Sequence, residues 1–444
     1  MSTTLAPLRR RDFRFLATGR ACAVLANSMA PVALSFAVLD LTGSLTDLGI
    51  VVGARSLANV AALLFGGVLA DRVRRALILQ GSAIGSALVQ GVLALAVLGG
   101  FASMPLLVGL SLVNGVLAAL SLPAAAALLP QTVPEGELQQ ANALARMGVN
   151  IGIIAGSSVG GLLAAAVGPG WALAVDSLGL LAAGLCYLAV RVAAPTRAAH
   201  AAEPVAPGAP QVGAIAGALA ELREGWREFT SRSWVWVVVL QFMVVNAAVS
   251  GSVQVIGPGI ADATMGRTAW GFALGAQMAG AAAAGLLLAR WRVRRALLLG
   301  VLAVFFEALP VLTLAQSPGV LSLTVVMFVC GFAMEQFGVA WDLSLQQNVP
   351  ADRLARVYSF DALGSFLALP LGEMTAGPLA QRFGARPTLL AATALIVLAT
   401  AAALTNRSIR TLTVRRVSTE VAGGERAGSE PTGSALVDSA PAGG

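Results

Sequence analysis

The chain has 444 residues, 57% apolar and 11% charged, and its 29 basic residues are all Arg, giving a formal net charge of +7. An ordinary soluble domain is roughly 25% charged, so this is the composition of a protein solvated by lipid. Without Lys, neither a nucleotide-binding P-loop nor a Schiff-base enzyme is possible. The Arg residues sit at the ends of apolar runs rather than along one soluble face, which argues against nucleic acid.

The basic segment from Met1 to Arg14 leads into a long apolar run with no small-residue cleavage site, which predicts a retained first helix rather than a signal peptide. A membrane crossing needs about 20 mostly apolar residues. The runs predict twelve transmembrane helices at 14–39, 47–70, 76–98, 104–129, 141–167, 171–190, 234–257, 269–290, 296–315, 319–344, 358–382 and 387–405. The fold class is therefore an all-α membrane protein. Its 49 Gly residues suit helices that meet through small side chains. Cys22, Cys186 and Cys330 are too scattered for a disulfide framework or metal site and read as buried small residues.

One long loop, 191–233, separates the sixth and seventh spans. Its first part, through Pro210, is Ala/Pro-rich and irregular. In 214–230, Ile215, Leu219, Leu222 and Trp226 share one helical face, with Glu221, Arg223, Glu224 and Arg227 on the other. That pattern predicts an amphipathic helix on the membrane surface. The expected organisation is a six-helix bundle over 1–190, this linker over 191–233, a second bundle over 234–405, and a disordered Gly/Ser/Glu/Pro-rich tail over 406–444. With both termini in the cytoplasm, short inner segments hold 17 Arg and outer loops hold 3 (Arg267, Arg382 and Arg386). The positive-inside rule then sets that orientation.

The chain resembles itself. Val73-Arg-Arg-Ala-Leu-Ile-Leu-Gln-Gly81 recurs as Val293-Arg-Arg-Ala-Leu-Leu-Leu-Gly300. Leu129, Gln131, Val133, Pro134 and Leu138 recur 216 residues later as Leu345, Gln347, Val349, Pro350 and Leu354. The same offset pairs Gly156 with Gly372, Gly161 with Gly377, Leu163 with Leu379 and Gly168 with Gly384. Two parallel six-helix halves explain this, as in transporters that rock about a midplane site.

An ionisable residue at membrane depth is costly and therefore a functional candidate. At about 1.5 Å per residue, Glu373 lies ~22 Å into the eleventh span and Glu307 ~16 Å into the ninth. Glu335 is about two-thirds through the tenth span. Arg20 and Arg55 lie within the first two spans, and Arg146 starts the fifth. Asp40, Asp47, Asp176, Asp342 and Asp361 read as nearer span ends. Trp234, Trp236, Phe242, Phe272 and Trp341 offer aromatic surface to a bulky substrate, or anchor the protein at the interface.

The segment Gly67-Val-Leu-Ala-Asp71-Arg72-Val-Arg74-Arg75 resembles the loop 2–3 signature of the major facilitator superfamily, Gly-x-Leu-Ala-Asp-Arg-x-x-Arg. Leu41-Thr-Gly-Ser44, Ala54-Arg55, Val133-Pro134 through Ala141-Asn142, Asp361 through Pro370-Leu-Gly372, and Gly377-Pro378-Leu379 look like its drug-exporter-like branch, which contains macrolide and enterobactin exporters. The resemblance covers residues 7–405. It implies two pseudo-symmetric six-helix bundles and secondary transport by alternating access. Gly67, Asp71, Arg72, Arg74 and Arg75 would then lock the cytoplasmic side while the outside is open. The first, fourth, seventh and tenth helices would line the cavity. That favours Glu335 as a cavity residue, with Arg20, Asn27, Asn114, Gln241, Asn246 and Gln254 as polar lining and Glu373 reaching in from the eleventh helix; Glu335 and Glu373 are the two proton-coupling candidates.

Two departures stand out. Gly156-Ser-Ser-Val-Gly160-Gly161 lacks the Pro of the Gly-Pro-x-x-Gly-Gly stretch found in many antiporters, and so lacks its kink. The second copy of the loop signature, 287–295, lacks its Gly and Asp. The implied protein is a monomeric multi-pass exporter in the bacterial cytoplasmic membrane, moving small molecules against protons and needing no cofactor or metal. Uptake of a solute remains open on these motifs, as does a lipid scramblase or receptor on the same fold. A membrane enzyme is disfavoured, because the only His is His200 in the linker and no paired-Asp motif exists.

Overall fold

In the lipid core every backbone N–H and C=O must be satisfied within its own segment, which makes helices the only open solution for these apolar runs. The computed structural model describes residues 3–70, 75–191, 223, 226–227, 229–288, 294–317 and 319–413, and has no strand among them. The first half comprises α1 (Arg11–Thr42), α2 (Leu45–Ala70), α3 (Arg75–Leu98), α4 (Met104–Leu128), α5 (Leu138–Ala166) and α6 (Pro169–Leu188). The second comprises α7 (Ser233–Thr264), α8 (Arg267–Leu288), α9 (Ala296–Leu314), α10 (Val320–Asn348), α11 (Ala351–Leu367 continued by Leu369–Phe383) and α12 (Ala385–Thr405).

Eleven of these helices are long and apolar enough to cross a membrane unaided. The eleventh predicted span departs from the sequence reading. It is broken at Ala368, two residues before Pro370, whose ring removes a backbone donor. The first span is longer than read, because Arg11 to Arg14 already form its opening turn. Twelve crossings leave both ends of the described chain on one side of the bundle, the terminal face; the opposite side is the far face.

The repeat read from the sequence is built into the backbone. Gly168 and Gly384 both adopt positive φ, +95° and +92°, and each launches the last helix of its half. An L side chain is strained there. At α5 on α1, a Cβ on Gly156 would strike the Leu25 carbonyl; at α11 on α7, one on Gly372 would strike that of Ala247. Likewise Gly115 of α4 lies against the Arg55 carbonyl of α2, and Gly331 of α10 against the Gln277 carbonyl of α8. Lipid tails are as apolar as Leu, so close backbone approach through glycine holds such helices together.

The outward faces of α3, α6 and α12 carry exposed Leu88, Leu95, Leu178, Leu185 and Leu398, as expected of lipid-facing surface. Inside the second half, Trp234, Trp341, Phe337 and Phe242 form one aromatic column between α7 and α10, with centroids 5.6, 6.1 and 4.3 Å apart in that order. All four rings are buried. Phe337→Ala should cost about 3 kcal/mol by leaving a cavity there. A thermal melt in detergent is the check, and an unchanged midpoint would contradict it.

At the terminal face the first half is tied by a bidentate pair, Arg10 Nε and Nη2 to Glu137 at 2.9 and 3.1 Å. The guanidinium holds the Glu137 carboxyl below its usual range. Of the predicted surface helix over 214–230, Trp226 is described and packs on Phe229 and Phe360, each 5.6 Å away; Ile215, Leu219 and Leu222 lie outside the described residues. The tail expected to be disordered over 406–444 opens instead with a short helix, Arg407–Thr411, capped by the Asn406 side chain, and lies outside the described residues beyond 413.

Candidate functional site

The two halves meet along two seams, α2 on α11 and α5 on α8. Along the first, Gly49 abuts the Glu373 carbonyl, Gly53 abuts Met374, and Gly377 abuts Leu45 and Thr46. Along the second, Gly271 abuts Ser157 and Gly161, while Gly275 abuts Ser158 and Ile154. Gly49 and Gly53 are followed 222 positions later by Gly271 and Gly275, so the seams are copies of each other.

These contacts lie in the far-face part of each seam. Toward the terminal face the same stripe of α5 continues as Ile151 and Met147, 58% and 55% exposed. On α11 the stripe continues as exposed Phe366. Among the described residues the halves are therefore closed against each other at the far face, and the two stripes become exposed toward the terminal face. At the far mouth, Arg267 at the start of α8 bonds Asp40 at the end of α1 through two N–H donors, and Gln381 donates to Ser44 Oγ at 3.1 Å.

Three backbone irregularities are found in the second half. A π-helical segment, Gly251–Ile256, interrupts α7, a 3-10 turn at Val304–Glu307 interrupts α9, and α11 breaks at Ala368. The first and last converge on Glu373. This carboxylate is 3% exposed and accepts a 2.6 Å hydrogen bond from Ser250 Oγ, just before the π segment. Across the seam the Ser56 hydroxyl of α2 faces it, with the Arg55 guanidinium within electrostatic reach. Glu373 thus belongs to one half and faces polar groups of the other. Arg55 also lies within reach of Asp176 on α6. The sequence reading put Asp176 near a span end, but it is 0% exposed and hydrogen-bonded by Gln90 of α3.

Glu307, at the 3-10 turn, is buried with the Cys330 thiol beside it, and that thiol accepts from Gln277 Nε2 at 3.8 Å. Cys330 is therefore a polar link as well as a small buried residue. Its counterpart 216 positions earlier is Asn114, and that of Gln277, 222 earlier, is Arg55. Both pairs flank the glycine crossings described above. Asn114 is buried, and its side-chain nitrogen has no partner among the described residues.

The other candidates are dispersed. Glu335 is half-buried on α10, its Oε1 3.6 Å from where a Cβ on Gly285 of α8 would sit. Arg20 and Asn27 share the stripe of α1 turned away from the Gly152 and Gly156 contacts with α5 and the Gly179 contact with α6. Gln241 is spent on Thr400 of α12 at 3.2 Å, and Asn246 on the Ser365 carbonyl of α11 at 2.9 Å. Gln254 is half-buried in the π segment. Trp236 and Phe272 are exposed, whereas Trp234, Phe242 and Trp341 are committed to the aromatic column. Asp71, Arg72 and Arg74 of the predicted gate lie outside the described residues, as do the Arg75 side chain and the surroundings of Gly67.

Ser56, Ser250 and Gln90 are the partners that sequence reasoning missed. A lone Ser or Gln in an apolar span carries no signal until a neighbouring helix places a carboxylate against it.

The profile of the Major Facilitator Superfamily matches residues 16–373. No curated protein matches the chain. Among solved structures, it is similar to the nucleoside transporter NupG at 12% identity and TM-score 0.68, covering 90% of this chain and 99% of that one. It is also similar to a bacterial homolog of the human lysosomal transporter Spinster, in an inward-facing and unoccupied conformation, at 16% identity and TM-score 0.66, with 90% and 97% covered. A POT family transporter in complex with 5-aminolevulinic acid follows at 12% identity and TM-score 0.63, with 89% and 96% covered. At these identities the likeness concerns the fold.

Proposed function

Because the chain belongs to the major facilitator superfamily, we propose that it is a secondary active transporter that exports amphipathic small molecules in exchange for protons. The observation that carries the coupling is Glu373, a buried carboxylate on one half that faces Ser56 and Arg55 on the other. Rocking the halves changes the distance from Glu373 to Arg55. Proton occupancy and conformation then bias each other, as any differential interaction between two states must.

Glu373 is preferred to Glu335 as the proton carrier because Glu373 faces groups of the other half, whereas Glu335 adjoins α8 of its own half. The Arg distribution supports a cytoplasmic terminal face, so the state described above admits cargo from the cytosol of a bacterial cell. The likeness of Leu41 to Ser44, Ala54-Arg55 and Asp361 to Gly372 to drug-exporter-like proteins supports export. A second reading, uptake of a small solute, is favoured by α5, which runs unbroken from Leu138 to Ala166 without the kink-forming Pro of many antiporters.

The test is accumulation of a panel of fluorescent amphipathic compounds in cells expressing the wild type or Glu373→Gln, with and without a protonophore. Export predicts lower accumulation with the wild type, lost in the variant and on collapse of the gradient. Higher, gradient-dependent accumulation with the wild type would replace export by uptake.

A further inference from the structure

Asp40 closes α1 and Asp262 closes α7, and the two are 222 positions apart, the same spacing that relates the seam glycines. Each half therefore brings one aspartate to the far mouth. The cation does not repeat: the position matching Arg267 is Leu45, an apolar residue packed against Gly259 and Gly377 of the other half.

Arg267 serves both aspartates at once. Its Nη1 donates to Asp40 Oδ2 at 2.8 Å and its Nη2 to Asp40 Oδ1, while Nε and Nη2 reach Asp262 at 2.8 and 3.2 Å. The guanidinium also lies over the Phe36 ring of α1, 4.9 Å from its centroid, and that ring is wholly buried. Asp262 belongs to the same half as Arg267, so it aims the guanidinium; Asp40 and Phe36 belong to the other half, so they are what the guanidinium holds.

We propose that Arg267 is the latch of the far mouth, one cation shared by two repeat-related aspartates, whose release from Asp40 is required before that side opens. A planar guanidinium suits this task because it engages two carboxylates and an aromatic face simultaneously. Removing it does more than delete a contact: it leaves two carboxylates facing one another, and their repulsion favours separation. The latch makes the far-closed state the resting one and leaves the terminal face open to cargo.

The test is a distance measurement between spin labels at Leu41→Cys and Ala263→Cys, exposed positions beside the two aspartates, in the full chain with Cys22, Cys186 and Cys330 replaced, in lipid nanodiscs. In Arg267→Gln the population with the longer, open-mouth distance should rise roughly fivefold over the parent. Asp40→Asn, which keeps the Arg267–Asp262 pair, should shift in the same direction, and Arg386→Gln, another far-face Arg, should not. Parent-like or shorter distances in both Arg267→Gln and Asp40→Asn would overturn the latch. If Arg267→Gln does not fold, Asp40→Asn decides alone. The readout involves no transported compound, so its failure is separable from failure of the exporter reading.

Discussion

Glu373→Gln is expected to yield a folded, membrane-inserted protein in which transport no longer responds to a pH gradient. The amide keeps an oxygen for the Ser250 hydroxyl, which bonds Glu373 at 2.6 Å, so helix packing should survive. What is lost is the ability to gain and lose a proton. With Arg55 of the opposite half still in place, the variant is fixed in the neutral form, and gradient-driven flux should fall at least about tenfold. Energy-independent exchange down a concentration gradient should persist, since it requires rocking but no proton. The check is efflux of any compound the wild type handles, at equal expression and with imposed pH gradients. Gradient-driven efflux at wild-type rate in the variant would remove Glu373 from the coupling scheme.

Gly331→Leu is expected to eliminate folded protein. A Cβ at Gly331 would overlap the Gln277 carbonyl, and one at Gly280 would overlap that of Phe328, so α8 and α10 cross through a reciprocal pair of glycines. The neighbours here are backbone atoms, which cannot turn aside as a flexible side chain can. Overpacking a core typically costs 1–3 kcal/mol, and forcing two helix backbones apart should cost more than about 3 kcal/mol. The same displacement would pull Cys330 away from Glu307 and Gln277 and strand a buried carboxylate. The measurement is the monodisperse yield after detergent extraction. A yield equal to that of the wild type would show that the crossing is looser than the packing implies.

Much of the architecture was legible in the residues, for physical reasons. A helix in lipid must be long, apolar and capped by charge, so span number and Arg placement are written openly. The repeat at an offset of 216 was legible because it begins in a polar loop and ends in Gly168 and Gly384, whose positive φ only glycine adopts easily. The offset of 222 between the first two helices of each half was not legible. Its markers, Gly49 with Gly271 and Gly53 with Gly275, are glycines in glycine-rich runs, and only the seam contacts single them out.

The helix faces were harder still. In water, an apolar stripe shows which side packs; in lipid both sides are apolar and the stripe vanishes. Nothing in the sequence around Gln241 and Asn246 marks the hydrogen bonds by which they tie α7 to α12 and α11. Glu373 stands out in the sequence because a carboxylate at membrane depth is conspicuous. Its partner Ser250 was hidden, since the π segment beside it shifts the register of α7 and no periodicity foretells that. Arg267 was counted with the outer-loop charges of the orientation rule. Its part in holding the halves together depends on Asp40, 227 residues away in sequence.

Two six-helix halves that rock about their glycine seams would close one mouth as the other opens. The most direct test places one spin-label pair at the far mouth, Leu41 with Ala263, and another at the terminal face, Met147 on α5 with Leu286 on α8, all exposed positions. Distances would be recorded in nanodiscs over a pH series. Opposed changes are expected: as the far-mouth distance lengthens the terminal-face distance shortens, with Arg267→Gln biased toward the far-open arrangement throughout. Two distances that stay fixed, or that lengthen together, would contradict alternating access in this protein.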